Sequence, residues 1–205
     1  MAYQSVWYDT DLPIDVINLI GIDCKKYDHK AKKSQLSGNK IDTSKRNSCN
    51  HWISTDNWVG GLCWHYVSKA NRSNFLYDID NIDAESLQYT IYEEGHYYGW
   101  HNDSDITTWV KPTRASSSDI NKGSDLATEN GERIRKLSFS LQLSDPDSYE
   151  GGNLEYIGSD GKLYVAPRTQ GALIVFDSRT KHRVREVRKG TRRSIVGWVV
   201  GPRWK

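Results

Sequence analysis

No stretch of the chain stays apolar for the ~20 residues a membrane-crossing helix requires, and the longest candidate, Ala172-Leu-Ile-Val-Phe176, has the length of a buried strand. The first residues, Met-Ala-Tyr-Gln-Ser-Val-Trp-Tyr-Asp, lack a basic region followed by an apolar one, so no secretory signal is expected. Cysteine is scarce. Cys24, Cys49 and Cys63 form no Cys-x-x-Cys unit, and an odd number argues against a disulfide framework. A reducing, cytoplasmic setting with no membrane partner is the expectation. No internal repeat is visible. Bases are missing from residues 76–105, which carry eight acids, whereas residues 179–193 carry eight bases against Glu186. The net charge of +2 conceals this unevenness. Solvated faces are the simplest meaning of such runs, and a nucleic-acid or acidic-peptide surface is the less favoured one.

What is present describes a globular chain of 205 residues, 37% hydrophobic and 26% charged, enough for one domain with a real core. Asp11-Leu-Pro-Ile opens a helix, with Asp11 as N-cap and Pro13 in the first turn, and apolar spacing carries it to about Lys26. Residues 28–50 read as polar loop leading into a strand at His51-Trp-Ile53. A second helix follows, capped by Thr55 or Asp56, with Trp58, Val59, Leu62, Cys63, Tyr66, Val67 and Ala70 on one stripe and Gly60-Gly61 as its weak point. From Ser86 the period changes to two. Leu87, Tyr89 and Ile91 alternate with Gln88, Thr90 and Tyr92, and a turn at Gly95 follows. Ser104 to Arg133 is long and polar, with Ile106 and Trp109 as its bulky apolar anchors, and reads as a lid or binding loop, or else as a disordered segment. Leu137 to Ser144 alternates without a fault, which predicts a strand whose serine and glutamine face meets water or lines a hydrophilic cavity. Short strands with turns every eight to twelve residues continue to Val200, the pattern of a sandwich or barrel preceded by helices.

Chemistry concentrates in Tyr92-Glu-Glu-Gly-His-Tyr-Tyr-Gly-Trp-His-Asn-Asp103. Residues two apart on a strand share a face, so His101 and Asp103 project side by side. Taken alone, such a pair is often no more than a polar strand end. A second imidazole, His182, would complete the two-His, one-carboxylate set of non-haem iron(II) sites. If the strand after His182 turned at Arg188-Lys189-Gly190 and paired with Thr191 to Val196, Arg192 would share the face of His182, with Arg183, Arg185 and Arg193 pointing away. A small dicarboxylate would then span metal and guanidinium.

The sequence resembles the iron(II)/2-oxoglutarate-dependent dioxygenases, and among them the prolyl 4-hydroxylase-like group. The match rests on Tyr92-x-x-Gly95-x-x-Tyr98-x-x-His101-x-Asp103, Arg135-Lys-Leu-Ser-Phe-Ser-Leu-Gln-Leu-Ser-Asp-Pro146, Glu150-Gly-Gly-Asn-Leu154, Pro167-x-x-Gly-Ala-Leu-Ile-Val-Phe176, His182, and Gly190-x-Arg192-x-x-x-x-x-Trp198. It implies an α+β, mainly β fold: one domain over 1–205, with a helical support region (1–85) and a double-stranded β-helix, or jelly-roll, core (86–200). By resemblance His101, Asp103 and His182 look like iron ligands, and Arg192 looks like the partner of the far carboxylate of 2-oxoglutarate, where many prolyl 4-hydroxylases have Lys. Tyr92, Gln142 and Ser138 would join it around the cosubstrate; Tyr98, Trp100 and Trp198 would meet substrate. His96 and Asp105 are spare ligand types better read as exposed loop residues. The implied cofactors are Fe(II), 2-oxoglutarate and O2, with ascorbate an optional addition. The implied reaction is hydroxylation of an unactivated C–H bond with release of succinate and CO2. A peptidyl proline in a peptide or protein partner is the first expectation. A free amino acid, another protein side chain, a nucleobase, and a non-catalytic binding module are the alternatives; the oligomeric state is left open.

Overall fold

Two antiparallel sheets lie against each other, and the period-two pattern decides which side chains enter the space between them. The computed structural model describes residues 5–9, 12–36, 41–104 and 133–204. The expected lid, with Asp105, Ile106 and Trp109, lies outside the described residues except at its two ends, as does Asp11. The strands are β1 (Val6–Asp9), β2 (Lys32–Lys33), β3 (Arg46–Asn47), β4 (Cys49–Ser54), β5 (Asn81–Ile82), β6 (Ser86–Tyr92), β7 (Tyr97–His101), β8 (Ile134–Gln142), β9 (Tyr149–Gly151), β10 (Leu154–Ile157), β11 (Leu163–Val165), β12 (Leu173–Asp177), β13 (His182–Val184), β14 (Val187–Gly190) and β15 (Arg192–Gly201). Helices α1 (Ile14–Lys25) and α2 (Trp58–Ala70) precede most of them. The large sheet runs β1-β12-β8-β15-β6-β4-β2, with β5 added to β15, and the smaller runs β11-β10-β13-β7-β3. This is the jelly-roll arrangement expected, with its helices on one side.

Leu137, Phe139 and Leu141 of β8 face the helices together with Leu87, Tyr89 and Ile91 of β6, packing on Ile17 and Ile20 of α1 and on Cys63 and Val67 of α2. Each such fully buried side chain contributes roughly 1.5–3 kcal/mol before chain entropy is subtracted. The alternate residues Ser138, Ser140, Gln142, Gln88, Thr90 and Tyr92 are just as buried, but on the face turned toward the smaller sheet. Between the sheets a second cluster joins Tyr92, Ile174 and Phe176 to Leu154, Val184 and Val187. The polar face of β8 therefore lines an interior.

Two local expectations change, and helix α1 begins after Pro13, with its expected cap Asp11 outside the described residues. Helix α2 is capped by Asn57, whose Oδ1 accepts from the Gly60 N–H at 3.1 Å, because both predicted caps are engaged elsewhere. The Thr55 hydroxyl donates to Glu85 O at 3.0 Å, and the Asp56 carboxylate accepts from the Ser54 hydroxyl at 3.0 Å. The hairpin assumed after His182 does not form. β13 pairs with β10 and β7, β14 pairs with β9, and β15 lies between β6 and β8. Gly190 (φ 76°) makes the break: a Cβ there would stand 2.4 Å from Ser148 O, so only glycine lets the chain leave β14 for the large sheet. His182 and Arg192 thus come from opposing sheets.

Candidate active site

Strand pairing, more than the loops, assembles the centre. β7 and β13 are neighbours in the smaller sheet, with His101 directly opposite His182 and Tyr98 opposite Val184. Asp103 follows just past the end of β7. Its N–H and that of Ser104 both donate to the Ser178 carbonyl, at 2.9 and 3.0 Å, which ties the segment to the chain between β12 and β13. His101 Nε2 lies 3.6 Å from Asp103 Oδ1, and His182 Nε2 lies 3.5 Å from Asp103 Oδ2. One ligand atom from each of the three falls within 4.8 Å of the others, a donor set that a single divalent ion fits.

The outer nitrogens fix the tautomers. His101 Nδ1 is 2.8 Å from Gly99 O and His182 Nδ1 is 2.8 Å from Thr180 O. A carbonyl only accepts, so both Nδ1 atoms carry the proton and both Nε2 lone pairs point inward. Burial, then the neighbouring His182, pushes His101 down to about 4, so it stays a neutral ligand at neutral pH. Burial alone would raise the Asp103 carboxyl. Attraction to His182 and His101, with a hydrogen bond from Ser138, outweighs it and holds Asp103 below the ordinary carboxylate range.

The second pole is Arg192 on β15, 2% exposed. Its Nη2 donates to Gln142 Oε1 at 2.7 Å and its Nη1 reaches Ser194 Oγ at 3.5 Å, while the guanidinium carbon lies 5.5 Å from the Tyr92 ring centroid. Its hydrogen-bonding partners are neutral, so its charge is held ready for an anion. Arg193, next along, turns to the other face and pairs with Asp28 at 2.9 Å. Arg192, Tyr92 and the two-His, one-Asp group line one open cavity of about 1730 Å3, large enough for a dicarboxylate and part of a second molecule.

Other predicted residues are spread more widely. Tyr98 stacks on His101 with centroids 3.6 Å apart, and Trp198 lines the cavity beneath the Arg135 guanidinium, 4.3 Å away. Gln142 stands behind Arg192 and outside the cavity lining, and Ser138 lies by Asp103 and Ser178, away from Arg192. Trp100 points off the cavity, with Arg183 packed 4.4 Å over its ring, because it is one residue out of phase with His101. His96 is buried and not an exposed loop residue: its Nδ1 accepts from the Glu93 N–H at 3.1 Å. Within the basic run, Arg179 pairs with Asp177 and Arg183 with Glu155. Sequence reasoning missed Arg46 and Gln88. Arg46 sits in a stretch read as loop, where only the pairing of β3 with β7 reveals its place. Gln88 could have been found from its phase with Tyr92 on β6.

Residues 87–200 match the family described as the 2OG-Fe(II) oxygenase superfamily. A PKHD-type hydroxylase of Synechococcus elongatus is 37% identical over 136 residues, 65% of this chain and 52% of that protein. One of Maricaulis maris is 44% identical over 69 residues, 34% of this chain and 31% of that protein, so the chain spans about half or less of these curated relatives. Among solved structures, a Pseudomonas putida prolyl-4-hydroxylase superposes with a TM-score of 0.68 at 17% identity, covering 95% of this chain and 92% of that one. At that identity the likeness is one of fold.

Proposed function

Since the chain belongs to the 2OG-Fe(II) oxygenase superfamily, we propose that it is an Fe(II)- and 2-oxoglutarate-dependent dioxygenase that hydroxylates a peptidyl proline. The observation that carries this is the meeting of His101, Asp103 and His182 in one cavity with Arg192. Supporting the peptide, a structural neighbour at 16% identity and a TM-score of 0.69 is a prolyl hydroxylase from Trichoplax adhaerens in complex with a hypoxia inducible factor peptide fragment.

In this reading His101 Nε2, His182 Nε2 and one Asp103 oxygen hold the iron, and the Gly99 and Thr180 carbonyls keep both rings in register. Iron held there with 2-oxoglutarate and O2 would supply the oxidation that turns a C–H bond into C–OH, with succinate and CO2 as co-products. Arg192 receives the distal carboxylate of 2-oxoglutarate, and Gln142, accepting from Nη2, fixes the fork that meets it. Tyr92 closes that end of the site, with Ser138 steadying Asp103. Tyr98 and Trp198 flank the path by which substrate approaches, and the apolar Phe176 and Val184 exclude water beside His182. Incubation with Fe(II), 2-oxoglutarate, O2 and a panel of proline-containing peptides, read by mass, tests this. A mass shift on proline is expected; succinate formed with no panel peptide modified moves the substrate elsewhere, and no succinate at all removes the activity.

A further inference from the structure

Arg46 is only 7% exposed, lies in the wall of the same cavity and has neutral hydrogen-bonding partners. Its Nε donates to Ser48 Oγ at 3.0 Å and its Nη2 to Gln88 Oε1 at 2.7 Å. A guanidinium has five N–H groups; these bonds use two, so the Nη1–Nη2 edge keeps three. Among the described residues no carboxylate pairs with it. A buried charge without a counter-charge is costly unless something supplies one. Arg192 shows the same form in the same cavity, and there the proposed cosubstrate provides the anion. Nothing in that reading provides one for Arg46. The cavity adds to the demand: Lys30, Lys32 and Lys33 also line it, Arg135 there is paired with Asp83, and Asp103 is the sole acid among its described lining residues.

Position narrows the ligand. The Arg46 guanidinium lies 4.6 Å from the Tyr98 ring centroid, and that ring stacks 3.6 Å from His101. The free edge is therefore about two extended residues, at ~3.3 Å each, from the metal ligands. We propose that Arg46 is a substrate-recognition residue that receives a side-chain carboxylate, so that the accepted substrate is an acidic peptide with Asp or Glu within about two residues of the oxidised one. This rests on the peptide hydroxylase reading above. Exposed cations such as Lys30, Lys32 and Lys33 are what a phosphate backbone would track, and the buried Arg46 is not one of them. A single recessed planar fork suits one carboxylate.

The test separates binding from turnover. Fluorescently labelled proline peptides, in matched pairs with Asp against Asn and Glu against Gln beside the proline, are titrated by anisotropy against the protein with Mn(II) and 2-oxoglutarate under nitrogen. The acidic member should bind about tenfold tighter or more, the scale of a charge-assisted bond. Arg46→Gln should bring the pair within about twofold, and Arg46→Lys, which keeps charge without the fork, should fall between. Equal affinities within wild-type pairs overturn the proposal even if neither variant folds. So does a preference that survives in Arg46→Gln, or a single-stranded oligonucleotide that binds tighter than every peptide. Mass analysis of the same peptides under O2 with Fe(II) tells the two readings apart. An acidic preference in binding without modified proline retires the prolyl reading and keeps the anchor; modification of acidic and neutral members alike does the reverse.

Discussion

His101 and His182 stand directly opposite one another on adjacent strands, with ring centroids 4.1 Å apart and tilted by 55°. Two imidazoles this close cannot both be protonated cheaply, and each is turned by a backbone carbonyl so that its lone pair faces Asp103. Cross-strand pairing thereby builds a cation site whose strongest need is a positive ion between the three groups.

His182→Ala should remove that site while leaving the sheet intact, since Val184 and the β10 pairing still hold β13. Mn(II) at a hundredfold excess over its Kd should stabilise the wild type by about 2.7 kcal/mol, and should leave His182→Ala close to its metal-free melting temperature. Succinate formation should fall to background. Thermal melts with and without metal, with a succinate assay alongside, check both.

Arg192→Ala should act on the cosubstrate and spare the metal. Losing a charge-assisted bidentate pair worth about 1.5–3 kcal/mol should raise the KM for 2-oxoglutarate by about 10- to 150-fold, with Mn(II) stabilisation retained. Steady-state succinate release against 2-oxoglutarate concentration measures it. An unchanged KM would move the anchor elsewhere, and Arg193, committed to Asp28 on the far face, would not be the replacement.

How much of this was legible beforehand depended on the range of the signal. The β8 alternation foretold the core face of Leu137, Phe139 and Leu141; its other face was open between water and a hydrophilic cavity, and there Ser138, Ser140 and Gln142 are buried, with Ser140 in the cavity lining. His101 and Asp103 were readable as a pair because a strand's two-residue repeat is local. The joining of His182 to them was given by family resemblance, and the hairpin used to rationalise Arg192 was wrong. Sheet neighbours are set by where the chain turns, and Gly190 directs β15 into the other sheet. Arg46 was invisible for the same reason: a two-residue strand in a polar stretch has no period to read, and its meaning comes from Tyr98, far along the chain. The α2 cap was missed because Thr55 and Asp56 spend their side chains on the neighbouring Glu85 and Ser54.

Acid stability should carry the mark of Asp177 at the end of β12. Burial alone would raise its carboxyl, but hydrogen bonds from the Arg179 guanidinium and the Tyr77 hydroxyl hold it below the usual range. A carboxylate depressed in the folded state stabilises the protein above its unfolded pKa of about 3.9, and that contribution disappears as pH falls through the lower folded value. Asp177→Asn should cost on the order of 1.5–3 kcal/mol at pH 7 and less as pH drops below about 4. Urea midpoints of metal-free wild type and variant, taken from pH 7 down to the acid transition, should converge; a gap that stays constant would assign the effect to packing.

The two adjacent glycines of α2 should respond to alanine with opposite signs. Helix propensity alone favours alanine over glycine by about 0.5–1 kcal/mol at either position. At the exposed Gly61 nothing lies within 4 Å of an added Cβ, so Gly61→Ala should stabilise by about that amount. At Gly60 the same methyl would stand 2.2 Å from Thr55 O and 2.7 Å from Thr55 Cα, backbone atoms that no rotamer change can move. Thr55 is itself held to Glu85 O through its N–H at 2.9 Å and its hydroxyl at 3.0 Å, so relief means shifting the junction of β4 with α2. Overpacking of this kind costs about 1–3 kcal/mol, which exceeds the propensity gain. Gly60→Ala should therefore lower the urea midpoint while Gly61→Ala raises it. Equal stabilisation by both would mean that the close approach of α2 to Thr55 does not exist in solution.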